Sequence, residues 1–185
     1  MAAWRRLRRQ FPPTQAASDA LKPTLTLIGF MGCGKSVVGL LVAQRAGAPF
    51  HDLDLLIENE AEMTISELFA TRGEAAFRAL ESSLLPTVLT PGAVVAIGGG
   101  APLDDENWRL ITERSVTVFI DCEFETIWRR TSGTTNRPLA VGRSRDELEA
   151  LLQARLRRYR EAVHRVKGDG PPDIVALEIL KFWSD

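Results

Sequence analysis

The chain has 185 residues, 45% of them hydrophobic and 25% charged, with a formal net charge of −1. That is the size and make-up of one soluble globular domain, and it gives no electrostatic ground for a nucleic-acid or membrane partner. No apolar run approaches the roughly 18–20 residues that cross a bilayer, and two distant cysteines, Cys33 and Cys122, exclude a disulfide framework and fit a reducing cytoplasm.

Residues 1–22 stand apart. MAAWRRLRRQ is basic and FPPTQAASDALKP is rich in Pro, Ala and Ser, so the sequence divides into a tail over 1–22, expected to be disordered, and a folded domain over 23–185. An Arg-rich targeting leader looks similar, but the apolar core of a secretory signal is missing. From Thr24 onward, TLTLIG reads as a buried strand and KSVVGLLVAQRAG as a helix, with Val38, Leu41 and Val42 on one face and Gly47 as its stop. PFHDLD is a short second strand, followed by short helices over LLIENEAEM and ISELFATRG. EAAFRALESSLLPTVL is a longer amphipathic helix, and AVVAIGGG a strand running into three glycines. DDENWRLITE is a helix, SVTVFID a strand and EFETIWRRT a helix. SGTTNRPLAVGRSR has no periodicity and reads as a loop. The helix DELEALLQARLRRYREA leads to a weak strand near VHRV and a closing helix, PDIVALEILKFW. Strands alternating with helices predict an α/β fold, a parallel sheet covered on both faces.

Gly29, Gly34, Lys35 and Ser36 match Gly-x-x-x-x-Gly-Lys-Ser between a predicted strand and a predicted helix, the setting this motif requires. Without side chains such a loop curls until successive N–H groups face inward and cradle phosphates, and the start of the next helix adds partial positive charge. Gly32, Cys33, Gly34 and Val37 belong to this cradle. Lys35 reaches the terminal phosphates, and the Ser36 hydroxyl suits Mg²⁺. The pattern predicts binding of a nucleoside triphosphate. Cys33 takes one of the motif's free positions and is read as a small filler residue rather than a reactive thiol.

A carboxylate is wanted near the metal, yet the buried AVVAI strand ends in Gly98-Gly99-Gly100. Asp52 and Asp54 of HDLDLL are the candidates. In an extended segment residues two apart face the same way, so both are expected to face the phosphate loop. Asp54 alone is also open to reading as a helix N-cap.

The phosphate loop, DLD, FRALE in the long helix, GGG after a strand and RPLA in the late loop come in one order. That ordered set resembles the shikimate kinases, from about Thr24 to the final helix. The resemblance implies a three-layer P-loop kinase fold like that of nucleoside monophosphate kinases, with a five-stranded parallel sheet and a mobile lid. It implies transfer of the ATP γ-phosphoryl group to the 3-hydroxyl of shikimate. By the same resemblance Asp54 bonds the substrate hydroxyls, Arg78 the substrate carboxylate, and Gly98, Gly99 and Gly100 bring backbone to the substrate. Lys35, Asp54 and Arg137 carry the transfer, with Arg137 reaching over the ATP phosphates as the lid closes. Asp52 supports Mg²⁺ beside Ser36, and Arg130 lies near the adenine.

The chemistry of these residue types agrees. A guanidinium holds a carboxylate through two parallel hydrogen bonds, and phosphoryl transfer asks for positioning and charge stabilisation above all. The identity of any general base stays open, with Asp54 as the candidate. The sequence departs from the family at two places. Ser36 is followed by Val37 where the family has Thr, and the family's second substrate arginine precedes Pro-Leu-Tyr, whereas ARLRRYREA keeps Tyr159 but carries Arg157 and Arg158. By the resemblance, that role is carried over to Arg155, which stands at the matching spacing, with Arg157 and Arg158 as alternatives and a solvated helix face as the plain reading of all three. The expectation is a cytoplasmic monomer that meets ATP and shikimate. The rivals are a related kinase of another hydroxy acid such as gluconate, or a non-catalytic ligand-binding module. Retention of Lys35, Asp54 and Arg137 argues against the latter.

Overall fold

The structure, a computed structural model, describes residues 22–132 and 142–183. The expected tail, apart from Lys22, lies outside the described residues, and so does the part of the expected lid that carries Arg137.

Five parallel strands, β1 (Thr24–Ile28), β2 (Phe50–Asp52), β3 (Val94–Ala96), β4 (Ser115–Asp121) and β5 (His164–Lys167), lie in the order β2-β3-β1-β4-β5. Every residue of β1 is buried, its threonines included, as a central strand covered on both faces requires. The covering helices are α1 (Lys35–Ala46), α2 (Leu53–Ala61), α3 (Ile65–Val88), α4 (Asp105–Arg114), α5 (Phe124–Thr131), α6 (Arg145–Tyr159) and α7 (Pro172–Trp183), with a 3₁₀ turn over Ala101–Leu103. α1 packs on α7, while α3, α4 and α6 gather around the 3₁₀ turn. The result is helix, sheet and helix in three layers.

Local signals set the helix ends. Thr64 and Glu67 form a capping box at the start of α3, and Ser144 and Glu147 form another at α6. The two helices expected over ISELFATRG and EAAFRALESSLLPTVL abut as one run, broken at Gly73, whose φ of 79° and ψ of 169° leave the helical region. The chain enters the fold at Lys22, whose carbonyl accepts from the Gly92 N–H at 2.6 Å, while Pro23 O accepts from Trp183 Nε1 at 2.8 Å.

From β1 the chain crosses to β2 at one edge and returns to β3; from β3 it passes to β4 on the far side of β1. Such a reversal opens a crevice at the carboxyl ends of the strands. The phosphate loop follows β1, Asp52 ends β2 and the three glycines follow β3, all at that edge.

Candidate active site

Gly34 caps α1 with φ of 99°, and Gly29 leaves β1 with φ of 146°, both in the left-handed range that favours glycine. Lys35, the first residue of α1, turns its ammonium back onto the loop, donating to Gly29 O at 2.9 Å and Phe30 O at 3.0 Å. Gly32, Gly34, Lys35, Ser36 and Val37 line one cleft together with Asp52 and Asp54. Cys33 is buried, its Sγ lies 3.7 Å from Lys35 Nζ, and its carbonyl accepts from Arg130 Nη1 at 3.5 Å. Arg130, on α5, also donates to Gly32 O at 3.2 Å and Gly168 O at 3.4 Å, which ties it to the outer edge of the loop.

The two aspartates reach the cleft by a route other than strand alternation. β2 stops at Asp52, whose carboxylate caps α2 by accepting from the Asp54 N–H at 3.1 Å. Asp54 therefore lies in the first turn of a helix, and the capping residue is Asp52. A carboxylate at a helix N-terminus sits in favourable potential, and the chain turns helical at Leu53, two residues earlier than the hydrophobic pattern suggests. Both acids still share the cleft with the phosphate loop. Ser36 and Asp52 offer hard oxygen donors there. Among the described residues no trio of His, Cys, Asp and Glu is placed to hold a metal alone. This donor set fits Mg²⁺, which takes one or two protein oxygens and fills its shell with phosphate and water.

Behind the cleft the glycine segment is enclosed. A Cβ on Gly98 would stand 2.7 Å from Glu81 Oε1 and 2.9 Å from Asp54 Oδ1. A Cβ on Gly99 would stand 3.0 Å from Gly29 O, 3.1 Å from the Tyr159 hydroxyl and 3.7 Å from Arg155 Nη1. Gly100 lies directly against the Arg78 guanidinium. Arg78 is held by two acids of its own helix: Nη2 donates to Glu74 at 3.0 Å and Nη1 to Glu81 at 2.7 Å. Burial works against the Arg78 charge, and Glu81 and Glu74 outweigh it, so its pKa is raised. Burial pushes the Glu81 carboxyl up to about 7, with Arg78 opposing and Asp54 adding to the rise.

The arginines of α6 part company. Arg155 is 7% exposed, its Nε has no hydrogen-bond partner, and its guanidinium lies 5.7 Å over the Phe30 ring. Arg157 is exposed. Arg158 pairs with Glu161 at 2.9 Å and with Asp105, and lies over Trp108. The structure thus brings Arg78, Arg155, Asp54 and the glycines together and leaves Arg157 and Arg158 aside. Two residues given no role from sequence also belong to this wall, Glu81 and Tyr159. For Tyr159 the available signal was its place on the buried stripe of α6, one turn after Arg155; Glu81, one turn after Arg78, is marked only by its burial in the fold.

The family model described as shikimate kinase matches residues 31–184. The shikimate kinase of Rhizobium meliloti strain 1021 is 42% identical over 89% of this chain and 87% of its own length. A shikimate kinase from Acinetobacter baumannii, solved in complex with shikimate, superposes with a TM-score of 0.83 at 32% identity, covering 87% of this chain and 92% of that one. A gluconokinase from Sinorhizobium meliloti 1021, at 16% identity and a TM-score of 0.57 over 90% of this chain and 94% of that one, is alike in fold alone.

Proposed function

Because the chain belongs to the shikimate kinase family, ATP-dependent kinases of shikimate, we propose that its cleft passes the γ-phosphoryl group of ATP to the 3-hydroxyl of shikimate held beside Asp54. The observation that carries this reading is the single cleft shared by Lys35, Ser36 and Asp54. Direct transfer requires donor and acceptor oxygens to meet in line within one such space.

The loop N–H groups over 32–37 cradle the phosphates, and Lys35 exchanges its bonds to Gly29 O and Phe30 O for the β- and γ-phosphates. Ser36 and Asp52 would hold Mg²⁺, which supplies charge neutralisation at the phosphate oxygens when bound. Arg130, tied to Gly32 O and Gly168 O, borders the adenine side. Asp54 orients the acceptor hydroxyl, and the loose transition state asks little of a base. Arg78 and Arg155 take the substrate carboxylate, with the backbone of Gly98, Gly99 and Gly100 between them. Arg137, outside the described residues, completes the phosphate clamp by resemblance.

We further propose that residues 23–185 form a shikimate kinase-like P-loop domain and that it works as a cytoplasmic monomer. All the assigned groups come from one chain, and among the described residues no helix is long and apolar enough to cross a membrane. A coupled ADP-release assay with and without shikimate tests the activity. ADP release that ignores shikimate, or answers only to another hydroxy acid, overturns it.

A further inference from the structure

Tyr159 is the single tyrosine of the chain, and its side chain is fully buried. Its hydroxyl donates to Gly99 O at 2.6 Å, its ring centroid lies 5.4 Å from that of Phe119, and Arg155 precedes it by one turn of α6. Packing against Phe119 needs only the ring. The hydroxyl is committed to one peptide of the glycine segment, the one that joins Gly99 to Gly100. A trans peptide is planar with its C=O and N–H opposed, so fixing the Gly99 carbonyl also fixes the direction of the Gly100 N–H. That peptide stands between the two arginines of the proposed clamp, with Gly100 against Arg78 and Gly99 beside Arg155. Three successive glycines have no side chains to hold them and the largest conformational freedom to lose. Their geometry must be imposed from outside.

We propose that Tyr159 is a positioning residue for the phosphoryl transfer, its hydroxyl locking the Gly99–Gly100 peptide in the orientation that meets the substrate between Arg78 and Arg155. The inference rests on the kinase reading above, and Tyr159 acts through the glycines without touching substrate. Burial pushes its phenol up to about 12, with Arg155 opposing, so it remains a donor throughout the working range.

Tyr159→Phe keeps the ring and removes only the hydroxyl. Measured well below the unfolding midpoint, the variant should lose about tenfold in kcat/KM for shikimate, the size of one hydrogen bond. Most of that loss should fall on KM for shikimate, with KM for ATP unchanged. A lowered Tm with an unchanged KM for shikimate overturns the proposal, and so does an equal rise in both KM values. Should the variant fail to fold, 3-fluorotyrosine incorporated throughout the native chain labels Tyr159 alone. Saturating shikimate must then move its ¹⁹F resonance, and an unmoved resonance overturns the proposal equally. Wild-type protein assayed alongside separates the two readings. Absence of shikimate-dependent ADP release there is a failure of the kinase assignment, whereas an active wild type with an unaffected Phe variant is a failure of the tyrosine's role alone.

Discussion

Nη1 of Arg78 donates to Oε2 of Glu81 at 2.7 Å, and the acid that receives it is wholly buried. Its other oxygen, Oε1, has no hydrogen-bond partner and stands with Asp54 Oδ1 against Gly98. Burial is therefore only partly offset by Arg78, and the carboxyl is raised from 4.5 to about 7. Between those values the folded state keeps a proton that the unfolded chain has released. The associated stability is fully present below the ordinary pKa and is lost as pH rises through about 7. At 1.36 kcal/mol per pKa unit the loss is about 3 kcal/mol. Glu81→Gln retains an acceptor for Arg78 and cannot ionise. Its Tm should fall less than that of the wild type from about pH 5 to about pH 8. Parallel Tm–pH curves for the two proteins would count against a raised, buried Glu81.

Lys35→Ala should abolish turnover while leaving the fold intact. The ammonium bridges Gly29 O and Phe30 O in the structure, and on the proposed reading it turns to the β- and γ-phosphates in the loaded enzyme. Loss of one such charge at a transferring phosphoryl group costs on the order of 10²–10³ in kcat. The check is kcat by coupled ADP release together with a circular dichroism melt. Turnover near the wild-type level would remove the phosphate loop from the mechanism.

Gly98→Ala probes the two acids at once. Its Cβ would stand 2.7 Å from Glu81 Oε1 and 2.9 Å from Asp54 Oδ1, both of them side-chain ends that can give way. The protein should fold, with Asp54 displaced from the acceptor hydroxyl, so KM for shikimate should rise while KM for ATP holds. Gly170→Ala, where a Cβ meets nothing within 4 Å, is the matched control. Equal kinetics for the two variants would mean that Asp54 tolerates displacement and does not position the substrate.

The phosphate loop was legible because its cause is local: glycines that permit left-handed backbone and a lysine at the helix start lie within eight residues of one another. The sheet order was legible only as a class, since alternation of strands and helices implies a parallel sheet but not which strand neighbours which. Asp54 was placed in the right cleft for an incomplete reason. Alternation along a strand was invoked, and the chain instead turns helical at Leu53 under the cap supplied by Asp52. Arg155 carried a stronger signal than family spacing. Leu148, Leu152, Arg155 and Tyr159 recur at intervals of four, three and four, and all four are buried on one face of α6. An arginine at an apolar position of that stripe is out of place unless it serves a site. Glu81 left no comparable mark, because a glutamate one turn after an arginine is common on exposed helices, and only the tertiary fold buries it.

The contrast within α6 gives the sharpest test of the substrate clamp. Arg155 is buried, with an unpartnered Nε and its Nη1 beside Gly99, whereas Arg157 is exposed and Arg158 is committed to Asp105 and Glu161. If Arg78 and Arg155 jointly hold the carboxylate of shikimate, removal of either leaves that anion short of a charge-assisted hydrogen bond, worth about 1.5–3 kcal/mol. Arg78→Ala and Arg155→Ala should each lose roughly ten- to a hundredfold in kcat/KM for shikimate. KM for ATP should move little, since neither guanidinium lines the cleft of the phosphate loop. Arg157→Ala should match the wild type, and Arg158→Ala should lose only the modest stability of partly exposed ion pairs. A silent Arg155→Ala alongside a defective Arg157→Ala or Arg158→Ala would shift the clamp along the helix and require α6 to turn in the loaded enzyme. If all three were silent, Arg78 would hold the carboxylate without help from α6, and the burial of Arg155 against Phe30 would be a matter of packing alone.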